Sequence, residues 1–190
     1  MEAFLVSTGV VALAEIGDKT QLLALVLAAR FRKPLPIILG ILVATLLNHA
    51  LAGAAGAWIA QVVGPTAMRW ILGLSFIAMA AWTLVPDKYD EEKDTAAGRF
   101  GVFGTTLVAF FLVEMGDKTQ IATVALAAKY GSLAAVVSGT TLGMLLANVP
   151  AVLLGEVAAK KLPMRLVHGI AAAIFLVLGV SVLLGAGELG

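Results

Sequence analysis

The chain has 190 residues, of which 61% are hydrophobic and 13% charged, with a mean hydropathy of +1.01. Soluble domains carry about a quarter charged residues, so this composition excludes an ordinary soluble fold and places the chain in a bilayer. The formal net charge of +1 offers no footprint for nucleic acid, and the absence of cysteine excludes disulfides and thiolate metal sites.

A spanning helix needs about 20 apolar residues, and six runs qualify. The first covers 3–29. The stretch before and within its start, Met1-Glu2-Ala3-Phe4-Leu5-Val6, has no basic region and no Ala-x-Ala site. The expectation is that this run is retained rather than cleaved. Inside it lies Glu15-Ile16-Gly17-Asp18-Lys19-Thr20-Gln21. A basic, proline-rich segment at 30–36 leads to the second run, 35–60, which carries Asn48 and His49. Gly64-Pro65 precedes the third, 67–85. Residues 86–95 form the one long hydrophilic stretch and read as a solvated linker. The fourth run, 100–128, repeats the charged segment as Glu114-Met115-Gly116-Asp117-Lys118-Thr119-Gln120. A tight turn at 129–132 leads to the fifth, 132–158, with Asn148 and Pro150. The sixth covers 166–186.

The repeat organises the chain. Residues 13–29 and 112–128 agree at 10 of 17 positions without a gap, and the same offset of 99 pairs Gly40 with Gly139 and Phe76 with Phe175. Each half holds three runs, and an odd number sends the second half into the membrane upside down. Six alternating runs put nine of the 13 Lys and Arg on one side, two (Arg69 and Lys129) on the other, and leave Lys19 and Lys118 within the spans. Cationic loops stay cytoplasmic. The predicted fold is an all-α integral membrane protein: six transmembrane helices in two inverted three-helix repeats, both termini outside. Its parts are a first repeat at 1–86, an acidic cytoplasmic linker at 87–99 and a second repeat at 100–190.

At about 1.5 Å per residue, Glu15 lies about 18 Å into the first helix and Glu114 about 21 Å into the fourth. Both fall near the bilayer midplane, and inverted symmetry would bring them to one site. Read as continuous helix, Glu15 and Asp18 share a face at i,i+3, and Lys19 reaches Glu15 at i,i+4. Gly17 and Gly116 let another backbone approach. Thr20, Gln21, Thr119 and Gln120 add neutral oxygens. An unpaired charge at mid-bilayer costs roughly 2.5–3.5 kcal/mol, so six demand pairing, hydration or a bound ion. Internal ion pairing that merely locks two helices is the bland alternative, though an apolar pair often does that as well.

Glu15, Asp18, Glu114 and Asp117 form a hard-donor set suited to calcium, magnesium or manganese, with Lys19 and Lys118 as ion-pair partners. No prosthetic group is implied. Four acids and two lysines leave a charge of −2, which one divalent cation or two protons would neutralise. Carboxylates crowded in a low dielectric can take protons, so the ligands would compete for one site. His49 reads either as a hydrogen-bonded bundle residue or as part of a pathway with Asn48 and Asn148. His168 reads as interfacial. Met115 either packs or favours a softer ion such as manganese. Pro150 either kinks its helix to free a carbonyl or is simply tolerated. Trp58, Trp70 and Trp82 read as headgroup anchors, and Glu156 as a partner of Lys160.

The doubled Glu-x-Gly-Asp-Lys/Arg-Thr/Ser segment, present as Glu15–Thr20 and Glu114–Thr119 in two three-span halves, resembles the cation/proton antiporter family that includes the Golgi manganese and calcium transporter and bacterial manganese exporters. The resemblance covers essentially the whole chain. It implies that the acids bind the metal, that protons are the coupling ion, and that the chain exports Mn2+, or Ca2+, from a bacterial cytoplasmic membrane. An exporter of a small organic cation such as a basic amino acid remains the alternative; such a ligand usually needs aromatic walls, which the two segments lack. A passive channel and an assembly protein fit less well, and no catalytic arrangement marks an enzyme.

Overall fold

The computed structural model describes residues 1–85, 101–154 and 164–185. These residues form eight helices, with no strand among them: α1 (Glu2–Glu15), α2 (Lys19–Phe31), α3 (Pro34–Val62), α4 (Pro65–Thr83), α5 (Gly101–Glu114), α6 (Lys118–Tyr130), α7 (Leu133–Leu154) and α8 (Met164–Leu183). The expected linker at 87–99, Lys160, Lys161 and the Glu156–Lys160 pair lie outside the described residues. Three helices, α3, α7 and residues 165–183 of α8, are long and apolar enough to cross a membrane.

The chain's turn chemistry sets the ends. Pro34 and Pro65 open α3 and α4 at positions where a missing N–H is harmless. At the offset of 99, Arg32 and Gly131 both close their helices in the left-handed conformation, at φ 51° and 62°.

The outer faces are apolar, unlike those of a soluble bundle, and polar side chains join the hydrophobic interior. Leu46, Leu47, Leu51 and Trp58 of α3 and Leu153 and Leu154 of α7 are exposed, whereas Ser7, Thr45, Thr106, Thr123 and Thr140 are buried. Contiguous exposed apolar surface of this kind matches a lipid solvent.

Packing crosses between the halves. α1 lies along α7, and α5 lies along α3. Glycines permit the approach: a Cβ on Gly139 would meet the Phe4 carbonyl at 2.5 Å, and one on Gly40 the Thr106 Cβ at 2.7 Å. Gly40 and Gly139 are repeat equivalents, and so are their neighbours Ser7 and Thr106. Gly56 likewise sits against the backbone of Val124. α4 and α8 pair with each other, with Phe76 stacked on Phe175 at 6.4 Å between ring centroids.

Two expected helices are each broken in two. The run read as continuous over 3–29 stops at Glu15 and restarts at Lys19, and the run over 100–128 stops at Glu114 and restarts at Lys118. Both breaks fall on the charged segments.

Candidate metal centre

The breaks follow from residue chemistry. Gly17 and Gly116 adopt φ +86° and +76°, a region open to glycine because it has no Cβ. A left-handed residue ends a helix. The next residues, Asp18 and Asp117, have extended backbones and stand at the N-caps of α2 and α6. Two side chains then pin the turn. Gln21 Oε1 accepts from the Gly17 N–H at 3.0 Å, and Gln120 Oε1 from the Gly116 N–H at 2.8 Å. Gln21 Nε2 also donates to the Ala147 carbonyl at 2.9 Å, three residues before Pro150. Both glutamine oxygens thus hold the broken backbone.

The expected i,i+3 face of Glu15 and Asp18 and the i,i+4 register of Glu15 and Lys19 are corrected accordingly, because no helical turn joins these residues. Each acid pair instead flanks a break where one helix presents carbonyl ends and the next presents amide ends.

Across the halves the charges interlock. Lys19 Nζ lies 2.7 Å from Asp117 Oδ1, and Lys118 Nζ lies 3.4 Å from Asp18 Oδ1. Glu15, Asp18, Glu114, Asp117 and Lys118 are all at most 2% exposed. Thr20 donates to Glu15 Oε2, and Thr119 to Glu114 Oε2 at 3.3 Å. Single carboxylate oxygens of Glu15, Glu114 and Asp117 lie within 4.8 Å of one another. That group takes three of the four expected ligands; Asp18 stands beside it on Lys118. Glu15 Oε1 and Glu114 Oε1 are buried with no hydrogen-bond partner among the described residues. Buried, unpartnered carboxylate oxygens from two acids in one cluster call for a cation or a proton.

The outer polar residues divide. Asn48 Nδ2 donates to the Phe111 carbonyl at 3.1 Å and Asn148 Nδ2 to the Met144 carbonyl at 3.0 Å. Both ring nitrogens of His49 are buried without a partner among the described residues, so the expectation of a hydrogen-bonded bundle histidine is corrected. Met115 is 58% exposed and does not serve as packing. His168, read from sequence as interfacial, places Nε2 2.7 Å from the Ile16 carbonyl inside the first break. No sequence signal marked this contact, which joins residues 152 positions apart; at the offset of 99 His168 pairs with Arg69.

Against known proteins, the family model described as divalent cation/proton antiporter GDT1 matches residues 3–91 and 102–189. The chain belongs to the GDT1 family. It is 50% identical over 182 residues to the Vibrio cholerae protein named "Putative manganese exporter", covering 95% of this chain and 90% of that one. It is 28% identical over 193 residues to a GDT1-like protein of Synechocystis, covering 92% and 93% of the two chains. With GDT1-like protein 3 of Oryza sativa subsp. indica it shares 27% over 206 residues, covering 95% of this chain and 73% of that one. No solved structure matches the chain. GDT1 proteins are transporters, not an enzyme class, and their family description implies a divalent cation and protons as partners. The apolar helices agree with a membrane transporter.

Proposed function

We propose that this GDT1 protein exports Mn2+ in exchange for protons across a bacterial cytoplasmic membrane, through one site built by both halves. The observation that carries the reading is the meeting of Glu15, Glu114 and Asp117 oxygens within 4.8 Å. Two of these acids hold buried oxygens that nothing among the described residues satisfies. Glu15, Asp18, Glu114 and Asp117 are the metal ligands in this reading. Thr20 and Thr119 orient the two glutamates, and the lysines set the charge. The hard oxygen donors suit Mn2+ or Ca2+, and the name of the Vibrio relative favours Mn2+ for that protein and, by proposal, for this one.

The architecture proposed is six spans in two inverted repeats. α1 with α2, and α5 with α6, each act as one interrupted span, and both termini lie outside. Interrupted spans at the repeat interface are where such transporters hold their ions. With four acids and two lysines ionised, the site carries −2, so one divalent cation or two protons neutralise it. Metal and protons then exclude each other, which couples their opposite movements.

Proteoliposomes test this directly. An imposed pH gradient should drive Mn2+ against its concentration gradient, and lysine or arginine should not compete. Flux indifferent to the pH gradient would refute the exchange, and competition by the amino acids would favour an organic-cation exporter. In cells lacking their own exporters, the wild type should relieve manganese toxicity and the Glu15→Gln variant should not.

A further inference from the structure

The two breaks have the same sequence pattern but different covers. In the first, α8 packs against α1, and His168 Nε2 lies 2.7 Å from the carbonyl of Ile16. That carbonyl belongs to the residue just past the end of α1, where no helical partner exists. In the second, α4, the repeat counterpart of α8, packs on α6. Its Arg69, the counterpart of His168, is exposed, and Met115, the counterpart of Ile16, is 58% exposed. One half of the pseudo-symmetric pair is engaged and the other is released.

We propose that His168 and Arg69 are alternating positioning residues for transport. In the state described, His168 holds α8 to the open backbone at Ile16. When the halves exchange roles, Arg69 takes the carbonyl of Met115 and His168 lets go. Both residues carry an N–H donor on a ring or fork long enough to reach a carbonyl across a helix interface. The α4–α8 pair moves as a unit between the two grips, because Phe76 on Phe175 and Gly73 against Gly179 hold it together. Each grip lies one residue from a glutamate of the candidate centre, Glu15 or Glu114. The arrangement thereby ties the orientation of each ligand to the position of α4 and α8. The inference rests on the inverted-repeat transporter reading above.

The chain has no cysteine, so single cysteines report cleanly. An Ile16→Cys variant keeps the backbone carbonyl, and a Met115→Cys variant replaces an exposed side chain. In proteoliposomes, a small water-soluble maleimide should label the Met115→Cys protein faster than the Ile16→Cys protein. Adding His168→Leu should raise labelling at position 16 and lower it at position 115, changing the ratio of the two rates about five-fold, the population shift of one lost hydrogen bond. Adding Arg69→Ala should move both rates the opposite way, and His168→Gln, which retains a donor, should restore the original pattern. Labelling that is unchanged, or that rises at both positions together, overturns the proposal. The exposed Arg69 decides the question if His168→Leu does not fold, since an unshifted Arg69→Ala pattern is equally fatal. Mn2+ flux by the unsubstituted protein in the same vesicles is scored separately, so loss of the transport reading and loss of the paired grips are distinguishable.

Discussion

In the first half the charged segment is partly open at its lysine: the Lys19 side chain is 22% exposed and 2.7 Å from Asp117. In the second half Lys118 is 1% exposed and 3.4 Å from Asp18. The flanking residue behaves the other way, with Met115 58% exposed and Ile16 half-buried beneath His168. The two lysines, identical in sequence, thus meet unequal surroundings. For the lysines the asymmetry is one of conformation; at Ile16 and Met115, and at Arg69 and His168, the sequences of the halves differ as well.

The largest expected effect tests what the two copies share. If both glutamates serve one centre, Glu15→Gln and Glu114→Gln should each lower Mn2+ flux by more than the roughly 10–100-fold typical of changes beside a metal ligand. A transporter that tolerated one but not the other would show that the centre belongs to a single half. Next come the lysines, where the copies differ. Lys118→Met breaks an ion pair whose two members are buried and should destabilise by about 3 kcal/mol, whereas Lys19→Met should cost less, because water reaches the lysine position there. Thermal unfolding in detergent should rank them in that order, and the reverse order would contradict the burial difference. Gly17→Ala and Gly116→Ala should each cost about 1–2 kcal/mol, because both force a side chain into left-handed backbone. At Gly116 no atom lies within 4 Å of an added Cβ, so the strain there is purely backbone. The smallest effect belongs to Met115→Ile, which copies the first half's residue into an exposed position. Its stability should change by less than about 0.5 kcal/mol, and its competition between Mn2+ and Ca2+ by less than a factor of two. A larger shift would give the thioether a role in ion choice.

Much of the fold was legible in the sequence. The helical class and the charged segments as one clustered group followed from run length and repeat offset. The interruption at Gly17 and Gly116 was also legible in principle, since glycine followed by aspartate is a helix stop followed by an N-cap. The spacing of acid and lysine nonetheless matched an uninterrupted helix, and that pattern misled. The lysine pairing across halves, the glutamine bonds to the broken backbone and the contact of His168 with Ile16 could not be read, because each joins residues whose proximity depends on how helices pack.

The sequence by itself determined that charges recur twice, 99 residues apart, in a chain otherwise suited to lipid. Composition and periodicity are local properties, and the duplication is visible without any coordinates. Only the tertiary structure decided which acids meet. It also decided which lysine serves which aspartate and which of the two breaks is covered. Those outcomes depend on the crossing of α1 with α7 and α5 with α3, and on the packing of α8 against α1 and of α4 against α6. Distances between residues about a hundred positions apart are set by packing.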